Sequence, residues 1–117
     1  MPRRTIDEFR RERAVGQEKL NATEHLGIKR FLSLDSAAYR DGALDSRTKE
    51  LLGLVASTVL RCNDCIDYHL EQCVKAGVTR DELEDALNVA MVVGGSITIP
   101  HLRHAWQSMD ELYAERA

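Results

Sequence analysis

No apolar run in this 117-residue chain approaches the ~20 residues needed to span a bilayer. No apolar segment follows the basic first residues, so no secretory leader is expected and the chain is expected in the cytoplasm, with no membrane partner. An excess of basic charge is missing too. Sixteen Lys and Arg stand against nineteen Asp and Glu, a formal net charge of -3, which opposes nucleic acid binding. The basic cluster Arg3, Arg4, Arg10, Arg11 and Arg13 is broken by Asp7, Glu8 and Glu12, and reads as a solvated helix face. There is no phosphate-cradling glycine loop. Gly94-Gly95 lacks the GxGxxG spacing and follows no strand, and nothing in the sequence calls for a cofactor. Strand-like alternation is weak. The most β-like stretch, Met91 to Ile99, has strongly helical flanks. Three cysteines are too few, and odd in number, for the disulfide framework of a small secreted domain. In a reducing compartment they suggest catalysis, metal binding or packing.

The composition, 44% hydrophobic and 30% charged, belongs to a soluble globular protein of one domain. A core of this size is marginal alone, and oligomerisation would add burial. Helix signals recur along the chain. Thr5 and Glu8 form a capping box for a helix from Ile6 to Leu20, stopped by Asn21, Ala22 and Thr23. A second helical stretch is expected over Glu24 to Ser33 and a short one over Ser36 to Arg40, before the Asp41-Gly42 turn. Asp45 caps a helix ending near Leu60, with Leu51, Leu52, Val55 and Val59 on one face and Leu54 and Leu60 beside it. Cys62 to Ala76 is helical, and Gly77 is its left-handed stop. Thr79 and Glu82 cap the next helix, whose apolar side carries Leu83, Ala86, Leu87, Ala90 and Met91. A last helix covers Ile99 to Ala114, with Leu102, Trp106, Met109 and Tyr113 as a packing stripe. The fold class expected is all-α.

The informative segment is Cys62-Asn63-Asp64-Cys65-Ile66-Asp67-Tyr68-His69. Two cysteines three apart at a helix start can form a disulfide within one turn. The free N–H groups there stabilise a thiolate on Cys62. His69, four residues after Cys65, stands one turn above it on the same face and can act as its base. Arg61 adds positive charge, whereas Asp64 opposes thiolate formation. Tyr68, next to His69, is expected to border the pocket around the cysteines. Zinc held by Cys62, Cys65, His69 and Cys73 is disfavoured. Cys62 and Cys73 would stand about 16 Å apart on one continuous helix, while each donor must lie within ~2.3 Å of the ion. Cys73 is expected to be a buried packing residue. His101 and His104 have no acidic partner near in sequence and are expected at the surface or an interface. His25 has no supporting pattern, and Glu50 by itself reads as solvated.

Glu50 followed by Cys62-x-x-Cys65-x-x-x-His69 resembles the alkylhydroperoxidase D-like branch of the carboxymuconolactone decarboxylase superfamily. The match runs from about Leu44 to Tyr113. The resemblance implies an all-α fold with a core over 44–115 and an N-terminal extension of the same domain over 1–43. It also implies a homo-oligomer, commonly built from trimers or dimers of such subunits, with a trimer or hexamer expected. The implied activity is thiol-dependent reduction of hydroperoxides or disulfides. Cys65 would attack, Cys62 resolve, and Glu50 relay protons with His69, after which a dithiol reductant (lipoamide or a thioredoxin-like partner) would reopen the disulfide. Glu50 thereby changes from a solvated residue to a catalytic one. The chain departs from the branch at Asp64, where peroxidase members often carry a second histidine. Thiol–disulfide exchange survives that change more easily than peroxidase activity does. Two other readings are a cofactor-free decarboxylase, which would not depend on the cysteines, and a non-catalytic redox-responsive oligomer.

Overall fold

The computed structural model describes residues 3–116. Among them are six α-helices and no strand, as the periodicity predicts: α1 (Ile6–Asn21), α2 (Leu26–Ala38), α3 (Ser46–Val59), α4 (Asn63–Lys75), α5 (Arg80–Gly94) and α6 (Ile99–Ala114). No helix among the described residues is long and apolar enough to cross a membrane.

The predicted caps form. Thr5 and Thr79 each close a capping box with Glu8 and Glu82, and Asp45 accepts from the Thr48 N–H at 2.7 Å. Gly77 (φ +84°) ends α4. The Val78 N–H bonds the Cys73 carbonyl at 3.0 Å and the Gly77 N–H bonds that of Val74 at 3.1 Å, a Schellman stop. α5 ends at Gly94, and the short 3₁₀ turn Ser96–Thr98 leads into α6 with Pro100 in its first turn, where a missing N–H costs nothing.

α3 packs against α4 and α5, and α4 against α6. Leu54, Ile66, Leu70, Cys73, Leu83, Leu87, Ala105 and Met109 meet in one cluster. Leu102, Trp106 and Tyr113 close it from the side, as the packing stripe on α6 predicts. α1 joins through Ile6 and Phe9, both buried. Arg10 carries α1 across to Glu71 on α4 and Glu115 beyond α6.

Two expectations are corrected. Glu24–Ser33 and Ser36–Arg40 are not separate helices but one, α2, because no glycine or proline interrupts the chain between Ile28 and Asp41. His25, unsupported by any sequence pattern, is its N-cap, with Nδ1 accepting from the Ile28 N–H at 3.3 Å. On α3 the buried face is Glu50, Leu54, Ser57 and Thr58, while Leu52 and Leu60 are exposed. Ser57 and Thr58 satisfy their hydroxyls within the helix, donating to the Gly53 and Leu54 carbonyls at 2.6 and 2.8 Å. Polar residues thus occupy the inner face, and the apolar spacing points one notch aside. α2 has no fully buried residue, although Phe31 and Leu34 are large and apolar.

Candidate active site

The turn between α3 and α4 sets the cysteines. Leu60 ends α3 and Arg61 follows at φ +62°, a left-handed conformation that a side chain adopts only at a cost. The Arg61 N–H bonds the Thr58 carbonyl, and the Cys62 N–H bonds that of Ser57, both at 3.0 Å. The reversal places Cys62 at the N-cap of α4, its Sγ accepting from the Cys65 N–H at 3.2 Å. Cys62 and Cys65 are joined as a disulfide with Cα atoms 5.3 Å apart. Cys62 is half-buried and Cys65 exposed.

His69 lies one turn along α4 and is buried. Its Nδ1 is 2.8 Å from Oε2 of Glu50 on α3, also buried. An ionised carboxylate only accepts, so the hydrogen of that bond is on Nδ1, and in the neutral imidazole Nε2 then presents a lone pair. The Tyr39 hydroxyl, at the end of α2, stands 3.5 Å from that Nε2, too far for a strong bond but close enough to define its surroundings. The ring fits because position 53 is glycine. A Cβ there would lie 2.5 Å from His69 Cε1 and 2.8 Å from each ring nitrogen. Glu50, Gly53 and His69 therefore form one unit, with a carboxylate orienting an imidazole that rests on bare helix backbone.

Cys65, His69, Tyr39 and Tyr68 border one cavity of about 500 Å³, which α1 and α2 complete through Phe9, Leu20 and Asp35. Tyr68 meets the His69 ring edge-on at 5.2 Å, with the Arg13 guanidinium 4.6 Å over its face. Burial, then the Glu50 charge, pushes both tyrosine hydroxyls up. Among the described residues, Cys65 and the buried His69 border this cavity together.

The remaining cysteine behaves as expected. Cys73 is fully buried, and burial followed by the Glu50 charge pushes its thiol to about 12. The expectation for His104 is overturned. It is buried, with Nε2 2.9 Å from both oxygens of the fully buried Asp67. The Ser108 hydroxyl donates to Asp67 Oδ1 at 2.6 Å, and Arg3 donates to Ser108 Oγ at 2.5 Å. The partner lies on another helix, where local sequence gives no sign of it. His101 is half-buried with Nδ1 2.8 Å from Asn63 Oδ1.

Of the four residues predicted for the site, the structure brings Cys62 and Cys65 together as a pair and Glu50 and His69 as another. Sequence reasoning missed Gly53 and Tyr39. For Gly53 a signal existed, since a glycine inside a helical pattern costs stability and marks a close approach. Tyr39 comes from a distant helix and had none.

The model of the carboxymuconolactone decarboxylase family matches residues 28–108. A crystal structure of a family member from Thermotoga maritima, described as a candidate for involvement in an antioxidative response, is 53% identical. It covers 93% of this chain and 92% of its own, with a TM-score of 0.88. A family protein from Legionella pneumophila, solved in the apo form, is 29% identical over 92% of this chain and 96% of its own, TM-score 0.83. An uncharacterised protein of the cox locus of Paracoccus denitrificans is 32% identical over 70% of this chain and 74% of its own. The chain belongs to the carboxymuconolactone decarboxylase family.

Proposed function

We propose that this protein is a thiol-dependent redox enzyme that reduces organic hydroperoxides or disulfides through Cys62 and Cys65. The observation that carries the reading is the Glu50–His69 pair beside an accessible Cys65 that is already joined to Cys62. A buried carboxylate holding an imidazole next to a sulfur is an arrangement for moving a proton. A plain core pair would need neither the cavity nor the exposed sulfur. The antioxidative description of the Thermotoga maritima protein points the same way.

In the reduced enzyme His69 takes the Cys65 proton. The thiolate attacks the outer peroxide oxygen and the O–O bond breaks. Cys65 becomes a sulfenic acid, and the alkoxide leaves as an alcohol after taking the proton from His69. The Cys62 sulfur then displaces hydroxide from Cys65, releasing water and forming the disulfide. A dithiol reductant of the lipoamide or thioredoxin type returns two electrons and two protons by exchange. No cofactor is required. A cavity of about 500 Å³ with Phe9, Tyr39 and Tyr68 on its walls suits an organic group better than hydrogen peroxide alone.

The partner assigned to α2 is a second copy of the chain. Phe31 and Leu34 are 68% and 70% exposed on a helix with no fully buried residue, and Tyr39 at the end of that helix reaches His69. Covering α2 in a homo-oligomer, a trimer or hexamer, would hold the cavity wall in place. The reducing cytoplasm is the compartment in which such a cycle runs.

The test is turnover of cumene hydroperoxide with dihydrolipoamide, by wild type, Cys65→Ser and Glu50→Gln. The expected result is loss of turnover in Cys65→Ser and a loss of about 10²-fold or more in Glu50→Gln. Full turnover in Cys65→Ser would overturn the assignment.

A further inference from the structure

Asp64 lies immediately before Cys65, between the two cysteines, where a carboxylate disfavours ionisation of either thiol. Its side chain is 68% exposed and is met by Arg4. One guanidinium nitrogen contacts Asp64 Oδ1 and stands 3.9 Å from Asp67 Oδ2, and the other donates to Glu12 at 3.0 Å. The segment carrying Arg4 is firmly held. Arg3 donates to Glu111 at 2.8 Å, Ile6 and Phe9 are buried, and the Arg4 guanidinium lies 5.0 Å over the Phe9 ring. Arg4, Asp64 and Cys65 border the same cavity.

We propose that Arg4 is a positioning residue for the thiols: it draws the Asp64 carboxylate onto its own guanidinium and offsets that charge beside the Cys62–Cys65 pair, so that the carboxylate no longer opposes ionisation of the reduced pair. The inference rests on the redox reading above.

Most of the other charges near the pair have partners of their own. On α4, Asp67 is held by His104 from α6, and His69 by Glu50 from α3. From α1, Glu12 shares Arg4 and Arg13 rests on Tyr68. Asp35 and Tyr39 from α2 border the same cavity, and Arg61 precedes the pair in the chain. Asp64 alone is adjacent to a cysteine and negative, and Arg4 is its partner.

The experiment is the pH dependence of iodoacetamide alkylation of the reduced full chain, with each cysteine read by peptide mass. It compares wild type, Arg4→Met, Asp64→Asn and the double variant, with circular dichroism as folding control. Methionine keeps a flexible apolar side chain over Phe9 and removes the charge. Arg4→Met is expected to slow alkylation at pH 7 about three- to tenfold and raise the midpoint by about half to one pH unit. Asp64→Asn alone should react as fast as wild type or faster, and the double variant should return to the Asp64→Asn rate. If Arg4→Met does not fold, Arg4→Gln replaces it, with the same slowing expected. An Arg4 variant with the wild-type profile, or a double variant as slow as the single one, would overturn the role. An ordinary thiol midpoint in wild type, together with no hydroperoxide or disulfide turnover, would instead remove the redox reading. An acidic wild-type thiol that ignores Arg4 removes only this inference.

Discussion

Replacing Gly53 with alanine adds one methyl group, which ordinarily strengthens a helix interior by about 1 kcal/mol. Here the added carbon would stand 2.5 Å from His69 Cε1 and 2.8 Å from both ring nitrogens, so the imidazole must leave. Its departure breaks the 2.8 Å bond to Glu50 and strands a buried carboxylate. An unsatisfied buried group costs about 1–3 kcal/mol, more when charged. The propensity gain offsets only part of that, leaving a net loss of about 1–2 kcal/mol. On the proposed redox reading, turnover should fall about 10²-fold or more, because His69 no longer has its orienting partner. Gly16→Ala on α1 is the control. Nothing lies within 4 Å of its added carbon, so the same chemical change there should stabilise by about 1 kcal/mol, and it serves as a control for stability alone. Thermal melts on both variants and hydroperoxide turnover of Gly53→Ala decide the matter. If Gly53→Ala melts above wild type as Gly16→Ala does, and keeps its turnover, the close approach of ring to backbone does not hold the site.

Three further outcomes follow from the geometry. Arg61→Gly relieves the left-handed backbone before Cys62 and should stabilise by about 1 kcal/mol in a denaturant titration, while slowing thiol alkylation at neutral pH through the lost charge. His104→Ala leaves the fully buried Asp67 with the Ser108 hydroxyl and, at 3.9 Å, the Arg4 guanidinium, and should cost about 3 kcal/mol in the same titration. Arg47, and then the Thr79 N–H, holds the Glu82 carboxyl at about 2, below its ordinary 4.5. The unfolded chain therefore takes up the proton first. The contribution is complete above pH 4.5 and is lost as the pH falls toward 2. Glu82→Gln should flatten the fall in melting temperature across that window.

The parts of the site that are local in sequence were legible. Cys62, Cys65 and His69 share one helix, and fixed spacing along a helix translates directly into a shared face. Glu50 is separated from His69 by 19 positions and belongs to another helix, so only the family pattern pointed to it. Its burial also misled the apolar periodicity of α3, because a site that turns Glu50, Ser57 and Thr58 inward moves the buried face away from the leucines. The Asp67–His104 pairing, 37 positions apart, and the reach of Tyr39 from α2 are products of packing that no local pattern encodes. The caps were read correctly because each depends on residues within one turn: Thr5 with Glu8, Thr79 with Glu82, Gly77 after α4. The division of α2 was misjudged because polar residues at Asp35 and Ser36 resemble a break, yet without glycine or proline the helix continues through them.

The most direct test of the redox account is a thiol count on reduced native protein before and after one equivalent of an organic hydroperoxide, for wild type and Cys65→Ser. Cys73, at about 12 and fully buried, stays silent in the native state, so the count reads Cys62 and Cys65. The account predicts that wild type loses both reactive thiols rapidly and the variant does not. Loss in neither protein at a rate above that of free cysteine would contradict it.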